Sequence, residues 1–421
     1  MSKGTFDNQL NKWQSVKYLY DTEGRLLFQS YPVNVSAAAT RWNNGLAGIN
    51  YQYDALDRLV QVAQDEEVGN STVTQYSYGS NSGNLKITQT DGRSNKVVTT
   101  YRSWGMPHYN WPIRISQADS TFTSISREKG TGRTQQINRS ALTTVYKYND
   151  KKLVESVTQP ENGLTRFIYY PDGKLKERSN NGRSVFYEYY DDDRLKKTRF
   201  SDTSVPDVTR EFRYDSYGNV SAEITTSSDN KQNNRIDYEY DDENNVKQQA
   251  LTIDGKVLAV RFDYDELGGV ERITYPSGHT YNFAPNSFGN PMLIREEGGA
   301  GKVIYSEIDY HHNNTVKLMR RNGHQVTTTL NRGQRPQKYR LQKYGNGSNQ
   351  ALGERGYFYD AAANVSRIND TVDKRYVTLQ YDQRNRLTRE SISNSDDFTY
   401  GYHSNDDIPV SYTHLTLPTK A

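Results

Sequence analysis

The sequence predicts an all-β protein of tandem antiparallel β-hairpin repeats, and three observations carry that expectation. First, one short unit recurs along nearly all of the 421 residues: aromatic, polar, Tyr, Asp, two free positions, Gly or Asn, a basic or amide residue, then Leu or Val. Self-similarity at a spacing of roughly 20 to 30 residues marks a repeat architecture. Second, the two aromatic positions stand two apart around a polar residue, as in Tyr238-Glu239-Tyr240. On a strand this puts both rings on one face and the polar side chain on the other, a strand period rather than a helix period. Third, the dipeptides Asp91-Gly92, Asn162-Gly163, Asn181-Gly182, Asp254-Gly255 and Asn322-Gly323 stand between units. Such pairs accept the positive φ of a tight hairpin turn.

In chain order, residues 1–14 are polar and read as a lead-in, and the repeats occupy 15–404. Tyr18-Leu19-Tyr20-Asp21 leads to Gly24, Arg25 and Leu26, and Tyr51-Gln52-Tyr53-Asp54 leads to Asp57, Arg58 and Leu59. Between them the small-residue run Ser36-Ala37-Ala38-Ala39 reads as a surface loop. A looser copy starts at Tyr76, and Phe122-Thr123-Ser124-Ile125 reads as a degenerate strand in the gap from Tyr101 to Tyr148. Trp104-Gly105-Met106-Pro107 and Phe288-Gly289-Asn290-Pro291 are two versions of one turn. From Tyr146 to Val270 the pattern is most regular, with looser copies at Tyr146, Phe167 and Tyr187 and full copies at Phe212, Tyr238 and Phe262. Later copies start at Tyr281, Ile308, Tyr357, Leu379 and Tyr400. Residues 405–421 match no repeat; Ser411 to Lys420 resembles a translated sequencing-adaptor scar and stands outside the expected fold.

The second aromatic of each copy is its structural anchor: Tyr20, Tyr53, Tyr148, Tyr169, Tyr189, Tyr214, Tyr240, Tyr264, Tyr310, Tyr359 and Tyr381. Gly24, Gly173, Gly218 and Gly268 are the turn glycines, placed to take positive φ, and the preceding Asp can bond its own backbone two residues on. Tyr189, Tyr214, Tyr240 and Tyr264 are expected at equivalent, largely buried sites, each ring near the matching Tyr of the next hairpin.

Composition alone sits close to a disorder signature, with 33% hydrophobic residues and a mean hydropathy of −0.95. The net charge of +3, from 53 basic and 50 acidic residues, and the periodic placement of 34 Tyr decide for folding. Nearly balanced charge without a basic run gives no nucleic-acid partner. The absence of Cys excludes disulfides and thiolate chemistry. No apolar run approaches the roughly 18 residues of a membrane span, and Met1 to Asn11 lacks a signal-peptide core.

Candidate chemistry reduces to blander readings. Asp237, Glu239 and Asp241 alternate onto one strand face and would offer oxygens to Ca²⁺, but without the fixed spacing of a dedicated loop. Asp191-Asp192-Asp193 reads as a turn, and carboxylate pairs for glycoside hydrolysis recur in most hairpins, so none is distinguished. His311 and His312 are adjacent, and neighbours on a strand face opposite sides, poor geometry for one metal; both read as surface turn residues. Gly298-Gly299-Ala300-Gly301-Lys302 is too short for a phosphate loop, with Val303 where a hydroxyl would meet Mg²⁺. No Gly-x-Ser-x-Gly occurs. No catalytic, cofactor-binding or metal-binding residue is assigned, and no cofactor is expected.

Tandem hairpins carrying Tyr-Asp-x-x-Gly-Arg-Leu resemble the YD-repeat, or Rhs-repeat, family, whose members include bacterial Rhs toxins, the C component of insecticidal toxin complexes and the shell of animal teneurins. The resemblance runs from about Tyr18 to Tyr402. It implies a sheet wound in a spiral into part of a hollow β-shell, which in toxin members encloses a C-terminal toxic polypeptide. The chain departs from those members in lacking any Asp-Pro dipeptide of the self-cleaving Rhs core and a distinct domain after the repeats. The expectation is a fragment of a longer protein, acting outside the cell as a structural shell segment, not an enzyme. Its partners are then the rest of the parent polypeptide and the enclosed cargo. The alternative is a surface adhesion module that binds glycans or cell-surface proteins. Glycan binding needs rings exposed in a groove, whereas a shell packs them in columns.

Overall fold

A computed structural model of the chain describes residues 2–7, 12–36, 46–67, 70–103, 110–298, 301–345, 350–393, 395 and 397–402. Residues 37–39 of the expected loop, the turn at Trp104 to Pro107, Gly299-Ala300 and the tail 405–421 lie outside the described residues. Among the described residues the regular elements are all strands, with no helix. The chain divides into two compact units, residues 1–124 with 305–421 and residues 125–304.

In the 125–304 unit the strands from Leu142–Tyr148 to Val270–Thr274 form an antiparallel meander in which each pairs with the next. Turns of two kinds alternate along it. A five-residue turn follows each anchor Tyr, and the other ends of the hairpins are closed by shorter turns except at 228–232, which joins Val220–Ser227 to Asn233–Tyr240. Asn181-Gly182 and Asp254-Gly255 have positive φ at both residues, as does Asn322-Gly323 in the other unit. That is the backbone whose twist matches paired strands.

The 1–124 and 305–421 unit has the same construction. Ser2–Asp7 pairs with Lys12–Tyr20, so antiparallel pairing starts inside the stretch read as a lead-in. Lys12–Tyr20 then serves both Leu26–Ser30 and Val33–Ser36. Strands from Gly48–Tyr53 to Pro112–Ser116 continue the meander, as do those from Glu307–Tyr310 to Asp397–Thr399.

Two expectations need correction. Asp91-Gly92 is not a two-residue hairpin turn: Asp91 to Asn95 form a five-residue turn in which Ser94, with φ 68°, takes the left-handed position. Gly92 answers a different need, because a Cβ there would stand 1.8 Å from the carbonyl oxygen of Ala361. The tyrosines are also less covered than expected. Tyr189, Tyr214, Tyr240 and Tyr264 are half-buried, Tyr20 is 47% exposed, and among the described residues the buried hydrophobic ones are Ala63, Ala222, Ala250 and Ile308. A ring on a sheet face is flanked by the next hairpin of the same sheet, which shields its sides without closing over it.

Candidate functional site

The five-residue turns are the recurrent polar constellation of the chain, and the Asp that opens each explains its geometry. Asp21 Oδ1 accepts the backbone N–H of Glu23 at 3.1 Å and of Arg25 at 2.8 Å, and Oδ2 accepts Arg25 Nε at 2.6 Å. Around this clasp the backbone closes twice, Gly24 N to Asp21 O at 3.2 Å and Asp21 N to Arg25 O at 3.0 Å. This is a type I turn followed by a left-handed residue, a standard hairpin closure. Asp54, Asp91, Asp215, Asp241, Asp360 and Asp382 repeat the pattern onto Arg58, Asn95, Asn219, Asn245, Asn364 and Arg386. The left-handed position is held by Gly24, Gly218 and Gly268, but also by Asp57, Ser94, Asn244, Ala363 and Asn385.

A second clasp builds the same turn from other residues. Where Tyr170 and Tyr190 replace the opening Asp, the carboxylate comes two residues later: Asp172 Oδ1 accepts Lys174 N at 3.0 Å, and Asp192 accepts Arg194 N at 3.1 Å and Nε at 2.8 Å. Gly173, at φ 95°, completes the first of these turns. The freed opening position carries a ring that reaches forward. Tyr170 and Tyr190 donate to the carbonyls of Tyr187 and Phe212, each at 3.0 Å, and meet Tyr189 and Tyr214 edge-on with centroids 6.2 and 6.0 Å apart.

The anchor tyrosines reach backward. Tyr53 donates to Leu26 O at 3.1 Å, Tyr214 to Leu195 O at 2.8 Å, Tyr240 to Val220 O and Tyr264 to Val246 O at 2.9 Å. Tyr148, Tyr169, Tyr359 and Tyr381 do the same to Thr134, Val154, Pro336 and Val365 at 2.7 to 2.8 Å. At Leu26, Leu195, Val220, Val246 and Val365 the acceptor is the first strand residue after the preceding turn, where the pairing shifts register. Tyr20, in the first copy, is the exposed exception, and Tyr189 makes its contact through its ring; Tyr310 is half-buried in Glu307–Tyr310.

At several turns the closing basic or amide residue joins neighbouring hairpins, a role the sequence marks by its recurrence but does not reveal. Arg25 lies 5.5 Å from the ring centroid of Tyr53, Arg58 4.4 Å from Tyr78, Arg194 4.7 Å from Tyr214 and Arg386 4.5 Å from Tyr402. Where the residue is an amide, Asn219 donates to Asn244 and Asn364 to Asn385, both at 3.0 Å. Burial pushes the carboxyls of Asp21, Asp215 and Asp241 up, but the bonds they accept from Arg25, Asn219 and Asn245 outweigh it and hold each below the usual range. Asp54 is held down chiefly by the Arg58 side chain. Burial pushes the phenols of Tyr214, Tyr240 and Tyr264 up.

Several of the carboxylates and histidines singled out in the sequence have structural partners. Asp237 pairs with Arg235, Glu239 accepts Gln248 Nε2 at 3.0 Å, Asp193 pairs with Lys174, and His311 Nε2 lies 2.7 Å from Thr328 O. Among the described residues no three His, Cys, Asp or Glu gather in metal-holding geometry. Gly298 and Gly301 sit at positive φ in a hairpin turn closed by Glu296 N to Lys302 O. A groove of about 710 Å³ in the 1–124 and 305–421 unit is lined by Asn70, Ser71, Thr72, Gln337, Tyr357 and Tyr359, among others.

A family model described as the teneurin YD-shell matches residues 1–405. No curated protein matches the sequence. The crystal structure of TcdB2-TccC3-Cdc42 aligns with a TM-score of 0.74 at 13% identity, over 94% of this chain and 23% of that one. TcdB2-TccC3 gives 0.71 at 12% identity over 93% and 24%. The Photorhabdus luminescens Tc holotoxin pore gives 0.71 at 12% identity over 92% and 24%. The likeness at this identity is one of fold, and the chain spans about a quarter of each of those structures.

Proposed function

The chain belongs to the teneurin YD-shell family, and from that premise we propose that it is a length of structural β-shell wall in a longer secreted polypeptide, enclosing or displaying a C-terminal toxin or effector segment. The observation that carries this reading is the uniformity of the turn ladder. The clasps close each turn, and the anchor hydroxyls with the turn-end Arg or Asn tie that turn to the neighbouring hairpin, so the conspicuous polar chemistry of the chain goes into closing hairpins and joining them side by side. A repeat array stabilised by nearest-neighbour terms is suited to building an extended wall. The reading assigns the chain no reaction of its own, and its site of action is outside the producing cell. Limited proteolysis of the parent polypeptide tests it. The segment after the repeats should resist protease while the array is folded and be cut once the array is unfolded; cleavage as fast as that of the free segment overturns the reading.

A second reading, neutral-glycan binding, is favoured by the groove at Tyr357 and Tyr359. Its charged lining residues are already engaged: Glu66 with Arg335, Lys338 with Glu354, and Asp360 in its turn clasp. Rings with nearby amides and hydroxyls suit a neutral sugar. Calorimetric titration with neutral oligosaccharides should show binding that Tyr357→Ala abolishes; no binding removes this reading.

A further inference from the structure

The turn ladder is not only sequential. Within the 1–124 and 305–421 unit, residues nearly 300 positions apart use the same chemistry. Asn385 Nδ2 donates to Asp91 Oδ2 at 3.0 Å, a side-chain bond from one turn to another like those between neighbouring turns. Arg93 donates to Asn385 Oδ1 at 3.0 Å and to the carbonyls of Tyr381 and Asp382 at 2.9 and 3.2 Å, and its Nε lies 3.6 Å from Asp360. Asp119 lies 3.6 Å from Arg384 and 3.5 Å from Arg386. At a second place Glu66 pairs with Arg335 and accepts Asn331 Nδ2 at 3.1 Å, while Asp65 lies 3.9 Å from Arg332.

We propose that these contacts form an ionic latch, which closes this unit by fastening residues 64–121 to residues 331–386 and which opens without unfolding the hairpins on either side. The charges are complementary. Among the residues that make these contacts, the first stretch brings Asp65, Glu66, Asp91 and Asp119 with Arg93, and the second brings Arg332, Arg335, Arg384 and Arg386 with Asp360 and Asp382. The side chains are partly covered, from 12% exposed at Arg384 and 13% at Glu66 to 34% at Arg332, which screens them less than fully exposed surface pairs. Two glycines make room for the contact. Neither Gly92 nor Gly333 has positive φ, yet a Cβ on Gly92 would meet Ala361 O at 1.8 Å and one on Gly333 would meet Glu66 Oε2 at 2.4 Å. The backbone conformation accepts any residue at these positions; the close approach does not. The hairpins keep their own ladders, clasps and tyrosine bonds when the latch parts, so separation is a step distinct from unfolding. This inference goes beyond the wall reading and holds whether or not the wall encloses anything.

Hydrogen exchange followed by mass spectrometry on the full chain tests it, comparing Glu66→Arg, Arg335→Glu and the double exchange of charge. Each single variant should raise exchange at 331–335 by about tenfold or more, the double variant should restore it to within about threefold, and 205–264 should not change, as expected of local rather than global opening. Gly92→Ala should independently raise exchange at 360–364 and 382–386. Unchanged exchange in the single variants, failure of the double to restore it, or a parallel rise in 205–264 would each overturn the latch.

Discussion

At the level of single residues, the anchor tyrosine does two jobs that can be separated. Tyr240→Phe keeps the ring and loses the 2.9 Å bond to Val220 O, and should cost about 1 kcal/mol. Tyr240→Ala also loses the half-buried ring and should cost about 2 kcal/mol, less than a fully buried aromatic because solvent already reaches part of it. Glu239→Ala, on the exposed face, should change stability by about 0.5 kcal/mol or less. Denaturant titration measures all three, and equal effects at positions 239 and 240 would contradict the face assignment. The left-handed turn position gives a sharper contrast. Gly218, at φ 92°, should lose about 1 kcal/mol on change to Ala. Ala363 already sits at φ 68°, and Ala363→Gly should gain about 0.5 kcal/mol, because relief of left-handed strain outweighs the added freedom of the unfolded chain. The opening Asp, its backbone bonds and the turn glycines were legible in sequence because they act within five residues. That Ala363 or Ser94 would adopt the same φ was not, since nothing about either residue type asks for it; the clasp around them imposes it.

At the level of the hairpin, strand faces and turn positions were readable from period and spacing, whereas sideways contacts were not. The equivalence of Arg and Asn at the last turn position becomes intelligible only when the next hairpin is in place, one stacking on its Tyr and the other bonding its turn. The two clasp designs, with Asp first or with Tyr first and Asp third, meet the same backbone demand and differ in what they offer the neighbour. This interchangeability makes a prediction. Removal of residues 220–245 joins Asn219 to Val246, two equivalent junctions, and leaves Val246 O to receive the Tyr264 hydroxyl as before. The shortened chain should fold and unfold cooperatively with a smaller enthalpy, as nearest-neighbour arrays do. Circular dichroism and calorimetry check it, and loss of a cooperative transition would mean that the hairpins are not equivalent.

At the level of the whole molecule, the repeated clasps make stability depend on pH through many small, like-signed contributions. Carboxyls such as Asp21, Asp54, Asp91, Asp215, Asp241 and Asp382 are held below their usual range in the folded chain. The unfolded chain therefore binds more protons in acid, and the stabilisation is present above about pH 3.9 and lost as pH falls through the lower folded values. The raised phenols of Tyr214, Tyr240 and Tyr264 act at the other end, stabilising below about pH 10 and failing as pH rises through their folded values. The thermal midpoint should be nearly level from about pH 5 to about pH 8 and fall below about pH 4 and above about pH 10; a maximum inside either limb would contradict the clasp account. The sequence by itself determined what is local and periodic: the strands, their two faces, the clasped turns and the family. The tertiary structure alone decided how covered the tyrosines are and which distant turns meet. Gly92 shows why: its need for glycine is set by Ala361, and a contact between residues so far apart leaves no period or spacing in the chain.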